Sequence, residues 1–186
     1  MNKFLLFLFA ISLSSLLHAQ DKFFTKTGKV YFDATAPKSP EKITAVNKSA
    51  TCVLDTKTGN MQFSLLMKGF EFERALMQEH FNENYAESTK FPKSEFKGNI
   101  AENANVNYTK DGVYVVKVKG QLTLHGETKE VETSGTVSVK GGSISLAATF
   151  TINLEEYKVN VPTVVGDKVS KTAKITVDCA LEPLKK

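Results

Sequence analysis

Arginine and tryptophan are almost absent from this sequence of 186 residues. Arg74 is the single arginine, and there is no tryptophan. Proteins that bind nucleic acids usually carry clustered arginine and lysine with aromatic residues between them. Here the other positive charges are lysines, and they are interleaved with 20 acidic residues, so that the formal net charge is only +4. The pattern indicates a solvated surface and argues against a nucleic-acid partner.

Glycine and proline are also scarce. The 11 glycines and 5 prolines are spread along the chain, which excludes a collagen-like or low-complexity protein. Hydrophobic residues make up 41% of the chain, and this content together with a small net charge argues against disorder. The length fits one globular domain rather than two.

Motifs that carry chemistry are missing as well. Beyond the first 19 residues the only histidines are His80 and His125, and the only cysteines are Cys52 and Cys179. No C-x-x-C or H-x-x-x-H spacing points to a zinc site. No G-x-S-x-G, G-x-G-x-x-G or phosphate-binding loop is present. The sequence therefore predicts no metal ligands, no cofactor site and no catalytic residues.

The N-terminus has the layout of a secretory signal peptide. Lys3 precedes an apolar run over residues 4–13, and the small residue Ala19 offers a cleavage position. The run is too short and too rich in serine for a membrane span of about 20 residues. We interpret residues 1–19 as a signal peptide and 20–186 as one exported domain, periplasmic or secreted, without a transmembrane segment after cleavage. An uncleaved N-terminal anchor is the alternative.

The rest of the chain alternates between apolar and polar residues with the period of β-strands. Gly- and Asn-containing turns separate the alternating runs and fit hairpin connections. The predicted strands cover residues 23–34, 42–55, 60–70, 95–101, 113–124, 129–139, 143–154 and 168–181. An all-β fold follows, as an eight-stranded antiparallel barrel, because closure removes exposed strand edges. An open sandwich is the competing architecture.

Residues 72–89 interrupt this alternation. Met77, Phe81 and Tyr85 are four residues apart, which predicts an apolar stripe on a short helix. Phe91 and Pro92 end the segment, because the residue before a proline disfavours helix. We expect a helical insert between the third and fourth strands that caps one end of the barrel.

The inside of a small barrel either packs on itself or holds one apolar molecule. The many phenylalanines and the flexible methionines near the third strand favour a ligand chamber. Strand and helix parity then predicts these ligand-binding residues: Phe63, Leu65, Met67, Leu76, Met77, Phe81, Tyr85, Phe96, Tyr114, Val116, Val118, Leu146, Phe150 and Ile152. For any one of them taken alone, ordinary core packing is the favoured explanation.

Two segments carry a family resemblance. Residues 75–85 followed by 90–98 resemble the middle of YceI-like proteins, where a helical stretch precedes a Phe-Pro-x-x-x-Phe strand entry. Residues 120–131, GQLTLHGETKEV, are similar to the second hallmark of that family. The resemblance covers about residues 22–182. It implies a lipocalin-like barrel that holds a long isoprenoid or a similar lipid, in a family with many periplasmic or secreted members.

The function expected from these observations is non-catalytic binding of an elongated apolar lipid, isoprenoid or quinone-like, for sequestration, storage or transport. Two other classes stay open. A packed barrel without a ligand could act as a stress-protective or protein-interaction module. A lipid hydrolase or isomerase would need His80 with Glu79 or Glu83 pointing into the chamber. The oligomeric state, including a homodimer, is left open by the sequence.

The two cysteines are expected to stay unbridged. In a meander the first strand separates the strands that carry Cys52 and Cys179. Two strand spacings are about 9–10 Å, which exceeds the Cα separation of about 7 Å that a disulfide tolerates. A bend in the second strand near Asn47 would relax this distance.

Overall fold

The computed structural model describes residues 21–184. The predicted signal peptide, residues 1–19, lies outside the described residues. Nine strands are present: β1 (Lys22–Thr35), β2 (Thr44–Asp55), β3 (Asn60–Leu66), β4 (Phe70–Phe72), β5 (Lys93–Ile100), β6 (Gly112–Leu124), β7 (Glu127–Lys140), β8 (Ser143–Asn153) and β9 (Val169–Pro183).

The strands form a closed antiparallel barrel, as predicted. Strand order is β1-β9-β8-β7-β6-β5-β3-β2, and pairing of β1 with β2 completes the circle. The short strand β4 continues the direction of β3 and pairs with β2 beyond it. Eight long strands therefore make the wall, and an open sandwich is wrong.

A short helical insert joins β4 to β5, also as predicted. Helix α1 (Ala75–His80) runs directly into a π-helical turn (Phe81–Tyr85). The turn is closed by the Ala86 N–H, which donates to the Phe81 carbonyl at 2.7 Å. The wider π turn ends the helix early, so the helical part is shorter than the predicted 72–89.

The third strand differs from the prediction of one strand over 60–70. A single 3₁₀ turn (Met67–Gly69) breaks it into β3 and β4. Before the turn, odd-numbered residues such as Met61 face inward, whereas after it the inward residues are Phe70 and Phe72. The break moves the inward parity by one residue, which an uninterrupted alternation could not predict.

The same shift occurs in the two neighbouring strands. In β1 the buried positions are odd up to Thr25 and even from Gly28 onward, with Lys26 and Thr27 both exposed between them. In β2 they are odd up to Asn47 and even from Ala50 onward. The β1–β2 register shows matching irregularities between Thr25 and Val30. Three adjacent strands thus bulge at one level, which we call the register belt.

Asn47 holds the register belt together. Its side chain is fully buried, and its amide Nδ2 donates to the Leu66 carbonyl at 2.9 Å. Its Oδ1 accepts the Ser49 N–H at 2.9 Å. A side chain on Gly69 would have no room, since its Cβ would lie 2.8 Å from this Nδ2. The Asn47 carboxamide therefore hydrogen-bonds main-chain groups that have lost their strand partners at the bulges.

One end of the barrel, which we call the closed end, is filled by packed side chains. It carries the β2–β3, β5–β6 and β7–β8 connections. Val106 of the β5–β6 connection is buried against the strands. That connection is fixed by Asn103, whose Nδ2 donates to the Thr56 carbonyl at 2.8 Å. The main buried residues there are Leu54, Met61, Ile100, Val137, Val139, Ile144 and Leu181.

The opposite end, which we call the open end, has an incomplete wall between β7 and β8. These strands pair from Lys140↔Ser143 only as far as Gly135↔Ala148. Within residues 21–184, no ladder joins the β7 segment 127–134 to the β8 segment 149–153. We call this gap the seam. It leaves one edge of each segment without strand partners.

Two negative observations apply to the described residues. No helix within 21–184 is long and apolar enough to cross a membrane. No group of three or more His, Cys, Asp or Glu side chains in that part of the chain is placed to hold a metal ion.

Replacing Asn47 with leucine should destabilise the barrel. The change leaves the Leu66 carbonyl and the Ser49 N–H without partners inside the wall, and each such loss costs about 1–3 kcal/mol. We expect the free energy of unfolding, measured by urea denaturation, to fall by about 3 kcal/mol. Ser49→Ala removes the hydroxyl that donates to the Asn47 Oδ1 at 3.1 Å but keeps the Ser49 N–H and the Asn47 carboxamide, so it should cost no more than about 1 kcal/mol. Equal stability of Asn47→Leu and the wild type would contradict the role of Asn47.

The seam should be visible in hydrogen exchange. Residues 127–134 and 149–153 have a strand partner on one side only. Their hydrogen bonds should therefore open more easily than those in the parts of β7 and β8 near the closed end, which are paired on both sides. We expect their fastest amides to exchange at least about tenfold faster than those in 136–140. Uniform protection along β7 would show that the wall is closed in solution.

Candidate functional site

A chamber of about 510 Å³ extends from the insert to the closed-end core, where Met61, Ile100 and Val137 also line it. This volume falls within the range of about 300–1,000 Å³ that is typical of ligand pockets. Its walls are side chains from every strand together with α1 and the π turn. The lining is overwhelmingly apolar, which suits a ligand without charge over most of its length.

The structure brings nearly all of the predicted residues together around this chamber. The lining includes Phe63, Leu65, Met67, Leu76, Met77, Phe81, Tyr85, Phe96, Val116, Val118, Leu146, Phe150 and Ile152. They come from four strands, the 3₁₀ turn and the insert, as the alternation and the helical stripe predicted. That these side chains bind a ligand stays a prediction.

Tyr114 is the exception and lies elsewhere. Its side chain packs against the closed-end core. Its hydroxyl donates to the Lys110 carbonyl at 3.2 Å. Tyr114 shares the inward parity of Val116 and Val118, but it sits one step closer to the closed end, where the barrel is filled. Parity identifies the face of a strand and not the height along the barrel.

A cluster of four phenylalanines is the most prominent feature of the chamber that the sequence pattern did not predict as a group. Phe32, Phe70, Phe72 and Phe81 contact one another with ring centroids 4.9–6.4 Å apart, mostly edge to face. Such pairs are favourable beyond the area they bury. Only Phe81 was predicted. Phe70 and Phe72 turn inward because of the register belt, and the strand pattern of β1 carried a usable signal in the spacing of Val30, Phe32 and Ala34.

The insert is anchored to the barrel by a second carboxamide. The Gln78 Nε2 donates to the Phe70 carbonyl, and its Oε1 accepts the Phe72 N–H at 3.0 Å. These two bonds imitate a strand partner on the free edge of β4. Gln78 thereby holds α1 over the chamber and keeps Phe81 against the other aromatic rings.

His125 fastens the far end of the insert. It occupies the β6–β7 hairpin tip with a positive φ of 51° and is buried. Its Nδ1 lies 3.0 Å from the Tyr157 carbonyl, and its Nε2 lies 2.7 Å from the Glu87 carboxylate. The ring also packs on Phe91 at 4.4 Å between centroids. One side chain therefore connects the hairpin, the insert and the β8–β9 connection.

Polar groups gather at the rim of the chamber, at the open end. Arg74 pairs with Glu41 across the rim, which links the insert to the β1–β2 connection. His80 and Lys168 also reach the lining. Leu76 is 61% exposed and Val164 is 84% exposed close by, so the rim mixes charged and apolar side chains.

The arrangement required for catalysis is only partly present. His80 reaches the chamber lining, but Glu79 and Glu83 are exposed and do not belong to it. Within residues 21–184, no described hydrogen bond joins His80 to a carboxylate. The geometry is better suited to enclosing an apolar molecule than to moving protons on it.

Comparison with solved structures supports the fold. A polyisoprenoid binding domain from Saccharophagus degradans, implicated in plant cell wall breakdown, has a TM-score of 0.75 at 14% identity, covering 89% of this chain and 99% of that one. BcnA from Burkholderia cenocepacia has a TM-score of 0.67 at 17% identity, covering 83% and 96%. A YceI protein from Campylobacter jejuni has a TM-score of 0.54 at 14% identity, covering 74% and 81%.

No curated protein sequence matches the chain. The model of the YceI-like domain family, by contrast, matches residues 14–181. The match includes the helical insert, both segments that suggested the resemblance and nearly the whole barrel. The chain is therefore a member of the YceI-like domain family.

Proposed function

We propose that this protein is an exported, non-catalytic carrier that encloses one elongated apolar lipid, of the isoprenoid or quinone-like class, in the barrel chamber. The observation that carries the proposal is the chamber itself, about 510 Å³ lined by apolar side chains. A ligand-free packed module would fill this space with side chains, as the closed end does. The family and the polyisoprenoid binding domain of similar fold support the same ligand class.

Apolar contact alone supplies enough free energy for such binding. Each buried methylene contributes about 0.8 kcal/mol, so about ten of them give roughly 8 kcal/mol before the cost of ordering the ligand. A micromolar Kd corresponds to about 8 kcal/mol after that cost, so a micromolar carrier needs more than about ten buried methylenes. Longer chains bind more tightly without further polar contacts, which accounts for the scarcity of chemical motifs in the sequence.

The orientation of the ligand follows from the polarity of the two ends. The closed end is packed and apolar, whereas Glu41, Arg74, His80 and Lys168 stand at the open rim. A polar head group would lose its hydration at the closed end without compensation. We infer that the apolar tail points toward the closed end and the head group lies at the rim.

Export is part of the proposal and has separate support. The basic, apolar and small-residue order of residues 1–19 fits a signal peptide. A carrier outside the cytoplasm would shield a water-insoluble lipid between membranes or store it. Cell fractionation, with N-terminal sequencing of the mature protein, tests this part independently of binding.

The ligand should be found by extracting the purified protein. We expect organic extraction of protein from its native host to release close to one equivalent of a long-chain lipid, identified by mass spectrometry. A blank extract from folded protein, repeated after exposure to total lipid, would instead favour the packed interaction module.

A charge placed in the chamber should abolish retention. Phe150→Glu puts a carboxylate against the ligand, and burying an unpaired charge costs several kcal/mol. We expect the amount of co-purifying lipid to fall at least about tenfold. Thr151→Glu is the matched control, because Thr151 is exposed on the outer face of the same strand opposite Lys174. Equal lipid content of the two folded variants would contradict the chamber as the site.

Loosening the insert should speed ligand release. His125→Ala removes the contacts to Glu87 and to the Tyr157 carbonyl, so the insert and the β8–β9 connection are no longer joined. We expect lipid transfer to acceptor vesicles to accelerate by roughly tenfold, since about 1.4 kcal/mol of contact is lost. Glu79→Ala, on the exposed face of α1, should leave the rate unchanged. No acceleration in His125→Ala would show that the insert does not gate release.

A further inference from the structure

The two cysteines lie together in the closed-end core and are not part of the chamber lining. Cys52 belongs to β2 and Cys179 to β9, and both are fully buried. Both thiols are free, and both belong to the same buried cluster, where each shifts the pKa of the other. In this structure the pair is unbridged. That one intervening strand keeps the two residues too far apart for a bridge stays a prediction.

The register belt brings these thiols together. Cys52 lies opposite Thr25 of β1, and Asp178 lies opposite Lys29. Because Lys26 and Thr27 bulge outward between these positions, β1 contributes little to the inner surface here. Some Cα atoms of β2 and β9 consequently lie within 8 Å of each other, although β1 runs between them.

Gly28 has no side chain, and this leaves the space on the inner side of β1 that the Cys179 sulfur occupies. A Cβ at this position would lie 2.6 Å from the Cys179 sulfur and 2.9 Å from the Ala50 carbonyl oxygen. Any side chain on residue 28 would therefore displace Cys179. The absence of a side chain on Gly28 allows Cys179 to reach across β1 toward Cys52.

We propose that Cys52 and Cys179 are a modification site, and that they form a disulfide which cross-links β2 to β9 across Gly28. The reaction is thiol–disulfide exchange with a disulfide-bearing oxidant. One cysteine thiolate attacks a sulfur of the oxidant and releases one thiolate, giving a mixed disulfide. The second cysteine attacks that bond and releases the other. The cysteine pair loses two electrons and two protons, and the oxidant becomes two thiols.

The exchange belongs to folding rather than to the finished barrel. Both thiols are fully buried, so a dissolved oxidant cannot reach either of them in the folded state. Their interaction raises the pKa of Cys52 and lowers the pKa of Cys179. An oxidant must therefore reach the pair before β1, β2 and β9 close over it. An exported chain meets such oxidants outside the cytoplasm.

The cross-link would join two sulfurs that already lie in one buried cluster. It closes a long loop of chain and removes entropy from the unfolded state, so it should raise thermal stability. It also ties together β2 and β9, the two strands that flank the β1 bulge and that carry Ala50 and Val177 of the chamber lining.

The test is to refold the full chain from denaturant in a buffer of oxidised and reduced glutathione. The products are then acid-quenched, unfolded again and treated with N-ethylmaleimide. We expect a monomer about 2 Da lighter than the reduced chain, without alkylation. Its Tm should exceed that of chain refolded under excess reductant by about 5–15 °C. Two alkylated thiols, or a disulfide-linked dimer, would overturn the proposal.

Cys52→Ala supplies the matched control. It should carry one alkylated thiol after refolding in either buffer, with the same Tm in both. A Tm difference between buffers that persists in this variant would show that the stabilisation does not come from the Cys52–Cys179 bond. If Cys52→Ala fails to fold, Cys179→Ala serves the same comparison, and the mass and alkylation state of the wild type decide the proposal by themselves.

Discussion

The register belt, held by the buried amide of Asn47, is the constraint on which the rest of this molecule depends. A regular strand that faces the barrel interior alternates strictly, so a shift of one residue reverses every side chain beyond it. Here β1, β2 and the β3–β4 pair shift at the same level. In these strands the inward-facing residues therefore have opposite parity on the two sides of the belt.

The barrel is built differently on the two sides of this belt. Below the belt, aliphatic side chains and the cysteines form the packed core, while Phe63, Leu65 and Phe96 on the same side also line the chamber. Above it, Phe32, Phe70 and Phe72 enter from the wall and meet Phe81 from the insert. The large rings line the wall and leave the chamber open between them. An open chamber makes fewer packing contacts, and the packed core at the closed end supplies the stability that is lost there.

Two carboxamides replace the main-chain pairing that irregular strands lose. Asn47 satisfies the carbonyl of Leu66 inside the wall, and Gln78 satisfies both polar groups of β4 that face away from β2. Asn47 also determines which residues face inward in the wall on the open-end side of the belt. Gln78 also determines the position of the insert. Buried polar groups here specify one arrangement among several that apolar packing alone would allow.

The sequence was sufficient to predict the eight long strands, the helical insert and most of the chamber lining, because alternation is a local signal. It was insufficient where non-local contacts override alternation. The break at Met67–Gly69 depends on Asn47 in another strand, so Phe70 and Phe72 were missed. The height of Tyr114 depends on how far the closed-end core extends. The approach of Cys52 to Cys179 depends on a bulge in the strand between them.

A crystal structure of the full chain grown after incubation with lipid extract would test the central claim most directly. The account predicts continuous electron density for one apolar chain inside the chamber, in contact with Phe81 and Phe150, with its polar end at the rim beside Arg74. Density for a ligand outside the barrel, or side chains rearranged to fill the chamber in well-ordered crystals, would contradict it.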